Sequence, residues 1–185
     1  MKKLVVALLF VAVLNFIFSH GIIASEHFGS SAEYTRYYNK TERFSIQLPK
    51  DWVVEERLRD PYKQYYCHPP RSKLEYSLRG DEVGISVVVT PATSFDQAYQ
   101  REKEGIQNDT RILLKKEGED IIDNVKAKWL DLDLNIQDGQ RGQRHRAYYL
   151  FRKNKFYGIN WICRVENFDD SNVMLDRIAK SFKFE

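Results

Sequence analysis

Residues able to do chemistry are sparse in this chain of 185 residues. The densest run of carboxylates is Asp131-x-Asp133-x-Asn135-x-x-Asp138-Gly139. Oxygen ligands at alternate positions could hold a hard cation. An EF-hand calcium loop, however, needs Gly at its sixth position and Glu at its twelfth. Here those positions hold Ile136 and Gly142. Leu130, Leu132 and Leu134 interleave the acids, so the segment reads as the solvent face of a strand running into an Asp-Gly turn. Asp131 and Asp133 point the same way and remain candidates for weak cation binding.

Cys67 and His68 are adjacent, and neighbouring side chains of an extended chain point to opposite faces. They cannot form a thiolate–imidazolium pair by themselves. Nucleophilic catalysis by Cys67 or a serine would need His27, His68 or His145 delivered by the fold. Cys67 and Cys163 are the two cysteines. In an oxidising compartment they either form one disulfide, worth about 4–5 kcal/mol on the chain-entropy model, or pack separately as small apolar groups. No nucleophile elbow, phosphate loop, zinc or dinucleotide motif is present in the sequence. The reading is therefore a protein that is not an enzyme and uses no cofactor.

Two further groups could contact a partner. Arg141, Arg144 and Arg146 cluster around His145 between two strand-like segments. They would meet an anionic lipid, polymer or protein, or else form a solvated hairpin loop. Tyr62, Tyr65 and Tyr66 precede Pro69-Pro70 and could form an exposed binding surface, since function concentrates in loops. As strand residues they would instead pack with their polar tips at a sheet edge.

The elements that must position these residues are mostly strands. Phe44, Ile46 and Leu48 alternate with polar residues, Pro49 ends that pairing, and Trp52 starts a second alternating run. Tyr65-Tyr66 and Leu74 to Leu78 suggest short strands, and Val83 to Val89 a clear one. Phe95, Ala98, Tyr99, Glu102 and Ile106 fall at helical spacing after a Ser94/Gln97 capping pattern, with Glu102 as the one polar member of the stripe. Strands follow over 112–119, 125–136, 147–151 and 156–165, with a tight hairpin turn at Lys153-Asn154. Met174, Ile178 and Phe182 mark a terminal helix with Asp170 or Ser171 as its cap.

Composition suits one domain with a packed core: 43% hydrophobic and 14% aromatic residues. Lys2 and Lys3 precede an apolar run from Leu4 to Phe18, read as a signal peptide over residues 1–25 or as an uncleaved anchor. Residues 26–39 read as a linker and 40–185 as a single globular domain. Cleavage would take Lys2 and Lys3 from 29 basic residues and leave 27 against 26 acidic. That balance gives no argument for nucleic-acid binding. The membrane is approached only through the N-terminal segment, if it is uncleaved.

The motif Phe44-x-Ile46-x-Leu48-Pro49-x-x-Trp52 resembles the start of PsbP-like domains. That superfamily includes the photosystem II extrinsic protein, DcrB-type exported proteins and a Ran-binding import factor. The later order agrees: a strand ending Val89-Thr90-Pro91, a helix, a strand meander, and a helix closing on Ser181-Phe182. The resemblance covers roughly residues 38 to 185 and implies an α+β fold, an antiparallel sheet flanked by two or more helices in an α/β/α sandwich. It also implies a non-catalytic, assembly-type role. The expectation is an exported, periplasmic or secreted domain that binds a protein or envelope component. The alternatives are a small envelope hydrolase or a weak divalent-cation binder.

Overall fold

The computed structural model describes residues 33–59, 61–70, 83–134, 142–165 and 168–185. The N-terminal leader or anchor, the segment Leu74 to Leu78 and Arg141 lie outside them. The strands are β1 (Tyr34–Asn39), β2 (Phe44–Pro49), β3 (Val53–Arg59), β4 (Tyr62–His68), β5 (Gly84–Pro91), β6 (Ile112–Ile122), β7 (Val125–Leu134), β8 (Gln143–Arg152), β9 (Lys155–Arg164) and β10 (Lys183–Phe184). The helices are α1 (Phe95–Asn108) and α2 (Phe168–Lys180). Among the described residues no helix is long and apolar enough to cross a membrane.

Seven strands form one antiparallel sheet in the order β3-β4-β5-β9-β8-β7-β6, and a smaller sheet has the order β1-β2-β10. Tight turns set the register of the larger sheet. Lys153-Asn154 and Asp123-Asn124 hold φ between 49° and 59°, the left-handed pair of a type I′ hairpin. In β6 the register slips between Leu114 and Lys116, a bulge at the sheet edge. Gly118 sits beside it because a Cβ there would come within 2.5 Å of the Trp129 ring.

Strand alternation gives this sheet two buried faces. Tyr65, Ile85, Val87, Leu150, Ile159 and Trp161 pack against Leu175, Ile178 and Phe182 of the C-terminal segment and against Phe44 and Ile46 of β2. The opposite face presents Leu130, Leu132, Ala147, Tyr149 and Phe156 to Tyr99 and Ile106 of α1. The result is α+β: helix α1, the seven-stranded sheet, and a third layer of α2 with the small sheet.

Several expectations change. The stretch read as linker already contains β1, paired to β2 with Tyr37 opposite Ile46. Its signal is hidden because tyrosines supply the apolar surface, and Tyr34 and Tyr37 both pack on the core. Ser94 occupies the N-cap of α1 but its side chain makes no capping bond, so the buried stripe holds that helix. Helix α2 begins at Phe168, which places Asp170 and Ser171 inside its first turn.

The disulfide alternative fails on strand order. Cys67 lies opposite Ile85, and Ile85 lies opposite Trp161, two residues before Cys163. Two strand spacings and two residues along the chain put the Cα atoms about 12 Å apart, against the limit of about 7 Å for a disulfide. Both cysteines are free and buried, packed as small apolar groups.

The Trp52 amide donates to the Pro49 carbonyl at 3.0 Å, closing the turn between β2 and β3, and its ring enters the core. Trp52→Ala is expected to cost about 3–5 kcal/mol in chemical denaturation. An unchanged midpoint would place the indole outside the core.

Candidate functional site

Register brings the predicted acids and bases onto each other. Asp131 lies opposite Arg146 and Asp133 opposite Arg144. Arg146 donates to both Asp131 oxygens at 2.6 and 2.9 Å, and Arg144 to both Asp133 oxygens at 2.6 and 3.1 Å. The Arg146 guanidinium sits 5.2 Å from the Trp129 ring and 5.7 Å from that of Trp161, and 3.3 Å from Asp176 of α2. Tyr148 also donates to Asp176, and Lys180 lies 3.0 Å from both Asp176 and Asp120. Hydrogen bonding to Asp131 holds the Arg146 pKa above its ordinary value.

This corrects two expectations. Asp131 is buried under α2 rather than on a solvent face, and each acid is matched by an arginine. The pair has no free lone-pair cage for a cation, and among the described residues no group of three or more His, Cys, Asp or Glu side chains could hold a metal ion. Arg144 and Arg146 are not an open basic loop either: β8 begins at Gln143, and Arg144 lies 4.6 Å over the Phe168 ring.

The tyrosine surface is likewise internal. Tyr62 is half-buried at the start of β4, whereas Tyr65 and Tyr66 are 1% and 9% exposed. Tyr65 packs edge-on against Phe44, and Tyr66 stacks on His68 with Arg57 over its ring. Burial pushes both thiols up to about 12, with Arg144 pulling slightly the other way at Cys163. Burial pushes His145 down to about 4, with Asp133 opposing. Strand alternation turns His68 away from Cys67, and His145 away from the face that Cys163 shares with Arg144.

The layer between α1 and the sheet contains the polar groups that the sequence reading passed over. Glu102 is 9% exposed within the apolar stripe of α1, and burial alone pushes its carboxyl up to about 7. Among the described residues no hydrogen bond or cation offsets that burial. On the α1 face of the sheet, the Tyr149 hydroxyl and the Asn160 side-chain carbonyl are buried without a hydrogen-bond partner among the described residues. The two sit diagonally on β8 and β9, because Tyr149 lies opposite Gly158 and Asn160 follows two residues on. A Cβ at Gly158 would lie 3.4 Å from Asn160 Nδ2 and 3.8 Å from Tyr149 Cε1. The glycine therefore leaves a methyl-sized space between them. Unpaired buried groups cost about 1–3 kcal/mol each, and a folded protein holds few of them. The signal was present in the sequence: Glu102 interrupts an otherwise apolar stripe.

On the other flank of α1, an open hollow of about 340 Å³ is lined by Tyr99, Lys103, Glu117 and Lys128 among others. Its charges are matched: Lys103 pairs with Glu117 at 2.6 Å, and Lys128 lies 4.7 Å over the Tyr99 ring.

The overall fold is similar to that of solved structures. Cyanobacterial PsbP (CyanoP) from Synechocystis sp. PCC 6803 matches with a TM-score of 0.58 at 14% identity, over 89% of this chain and 99% of that one. This chain has the PsbP-like fold. A second match is LpqN of Mycobacterium tuberculosis, involved in cell envelope biogenesis, with a TM-score of 0.53 at 11% identity over 86% of this chain and 88% of that one. No protein-family model and no curated protein matches the chain. At these identities the likeness carries the PsbP-like architecture and no residue role.

Two outcomes follow from the charges. Arg146→Met should cost about 3–5 kcal/mol in urea unfolding, because Asp131 would be left buried and unpaired. The Glu102 carboxyl has its ordinary value of 4.5 when unfolded and about 7 when folded. Its stabilising contribution is thus complete below pH 4.5 and lost as pH rises through 7, by about 3 kcal/mol. Urea unfolding of wild type and Glu102→Gln at pH 5 and pH 8 should show the variant gaining relative to wild type at pH 8. The His145 titration acts equally on both proteins and cancels. Parallel pH profiles would contradict the assignment.

Proposed function

We propose that this chain is an exported, non-catalytic binding domain of the cell envelope, of the assembly type. The observation that carries this reading is the contrast between its reactive and its unsatisfied groups. Both thiols are buried and held protonated, with burial pushing them up to about 12. Among the described residues, the buried groups without partners include those on Tyr149, Asn160 and Trp161, which can hold a ligand by hydrogen bonds but not attack one. The PsbP-like fold supports the reading through LpqN, a protein of cell envelope biogenesis. The apolar leader after Lys2 and Lys3 supports export. The nearly balanced charge supports a protein or envelope component as partner rather than nucleic acid.

Crosslinking in intact cells, followed by mass spectrometry of co-purified proteins, should recover an envelope component. Fractionation should place the chain outside the cytoplasm. A thiol reagent should leave the native protein unlabelled and modify both cysteines after unfolding. Rapid labelling of native Cys67 would favour the hydrolase instead.

A further inference from the structure

We propose that β3, an edge of the seven-stranded sheet, pairs antiparallel with β3 of a second copy of this chain and joins the two sheets into one. The inference goes beyond the binding role proposed above and does not depend on it.

An edge strand offers backbone donors and acceptors to another strand. The larger sheet ends in β6 on one side and in β3 on the other. These two edges differ. β6 carries the bulge between Leu114 and Lys116, which breaks straight pairing along its outer side. β3 has no such break: Val53 to Arg59 run opposite His68 to Tyr62 without a slip in register. Among the described residues no strand pairs with its outer side.

A strand that pairs with itself about a two-fold axis sets residues equally distant from that axis opposite each other. Such residues lie an even number of positions apart, so their side chains share a face. With the axis at Glu56, Val54 meets Leu58 of the second copy and Glu55 meets its Arg57, and symmetry repeats both contacts. Neighbouring registers lose this match. An axis at Glu55 sets Val54 against Glu56, and an axis at Arg57 sets Glu56 against Leu58.

Both contacts answer a feature of the single chain. Leu58 is a large apolar side chain left 67% exposed at a sheet edge, on the face where Val54 packs against the core. A second β3 covers Leu58 with Val54, the cross-strand contact that stabilises a sheet. On the other face Glu55 and Arg57 are half-buried and 2.6 Å apart. Arg57 also lies 5.0 Å from the Tyr66 ring of β4, which holds the pair on that face. Two copies bring two such pairs together as a ring of alternating charge. The one like-charged contact is Glu56 with itself at the axis. That side chain is exposed, so solvent screens the repulsion.

A single strand pair is a small interface, below the roughly 1,200 Å² of stable complexes. The dimer is therefore reversible and forms at high protein concentration.

The test is sedimentation of the purified chain from micromolar to millimolar concentration. Wild type should pass from monomer to dimer. Leu58→Lys, at an exposed site, should melt as wild type and weaken the dimer about tenfold. Glu56→Gln should tighten it by removing the like charge at the axis. Glu55→Arg and Arg57→Glu should each lose self-pairing, because like charges then lie opposite. An equimolar mixture of those two variants should recover a dimer, since every charge again meets its opposite. The proposal is overturned if wild type stays monomeric at millimolar concentration, or if Leu58→Lys dimerises as well as wild type. It is also overturned if the two charge variants, each melting as a folded protein, do not pair when mixed. A monomeric chain whose β3 captures an unrelated extended peptide instead would overturn it as well.

Discussion

A guanidinium placed on a core face must be matched, and the matching of Arg146 organises one side of this protein. Its charge is countered by Asp131 across the strand and by Asp176 from α2, and its flat faces lie toward two indoles. The bond to Asp176 ties helix α2 to the β8 side of the face it covers, while the helix itself packs on β9, β5 and β2. With that helix in place, Leu175 and Ile178 can close the core against the small sheet. A second buried charge follows the same rule: burial raises the Glu42 pKa, but hydrogen bonds from Lys155 and Lys63 win and hold it below its ordinary value. Breaking such a pair costs far more than the pair contributes, so this side of the sheet has little room for functional change.

The opposite side is built differently. Beneath α1 the aromatic rings pack well, yet Glu102, Tyr149 and Asn160 are not matched to one another or to a nearby base. The fold neutralises Asp131, Asp133 and Glu42 and leaves Glu102 without a matching charge. That contrast, and not any motif, is what marks the α1 face as the candidate site on this PsbP-like fold.

Much of the architecture was legible because alternation and spacing report local structure directly. The strands around Ile46, Val87 and Leu132, the Lys153-Asn154 turn and both helices are visible in the sequence. The failures share one cause, which is that pattern does not reveal register or strand order. Asp131 and Asp133 alternate with leucines, but alternation does not say which face a helix will cover. Arg144 and Arg146 look like a loop because the first residues of β8 are polar, and their partners become apparent only once β7 is aligned beside them. Cys67 and Cys163 could pair on paper because the intervening position of β5 is a matter of topology. β1 was hidden because tyrosines with polar tips do the work of apolar residues. Glu102 was visible at its helical position, and its meaning depended on knowing that the stripe faces a buried tyrosine.

The central claim is that Glu102 is a buried, unmatched acid in the layer between α1 and the sheet. The most direct measurement is a carboxyl-carbon NMR titration of Glu102 in the folded protein. The structure predicts a midpoint near 7, raised by burial. A midpoint near the ordinary 4.5 would mean the carboxylate is solvated, and would contradict the buried, unmatched acid described here.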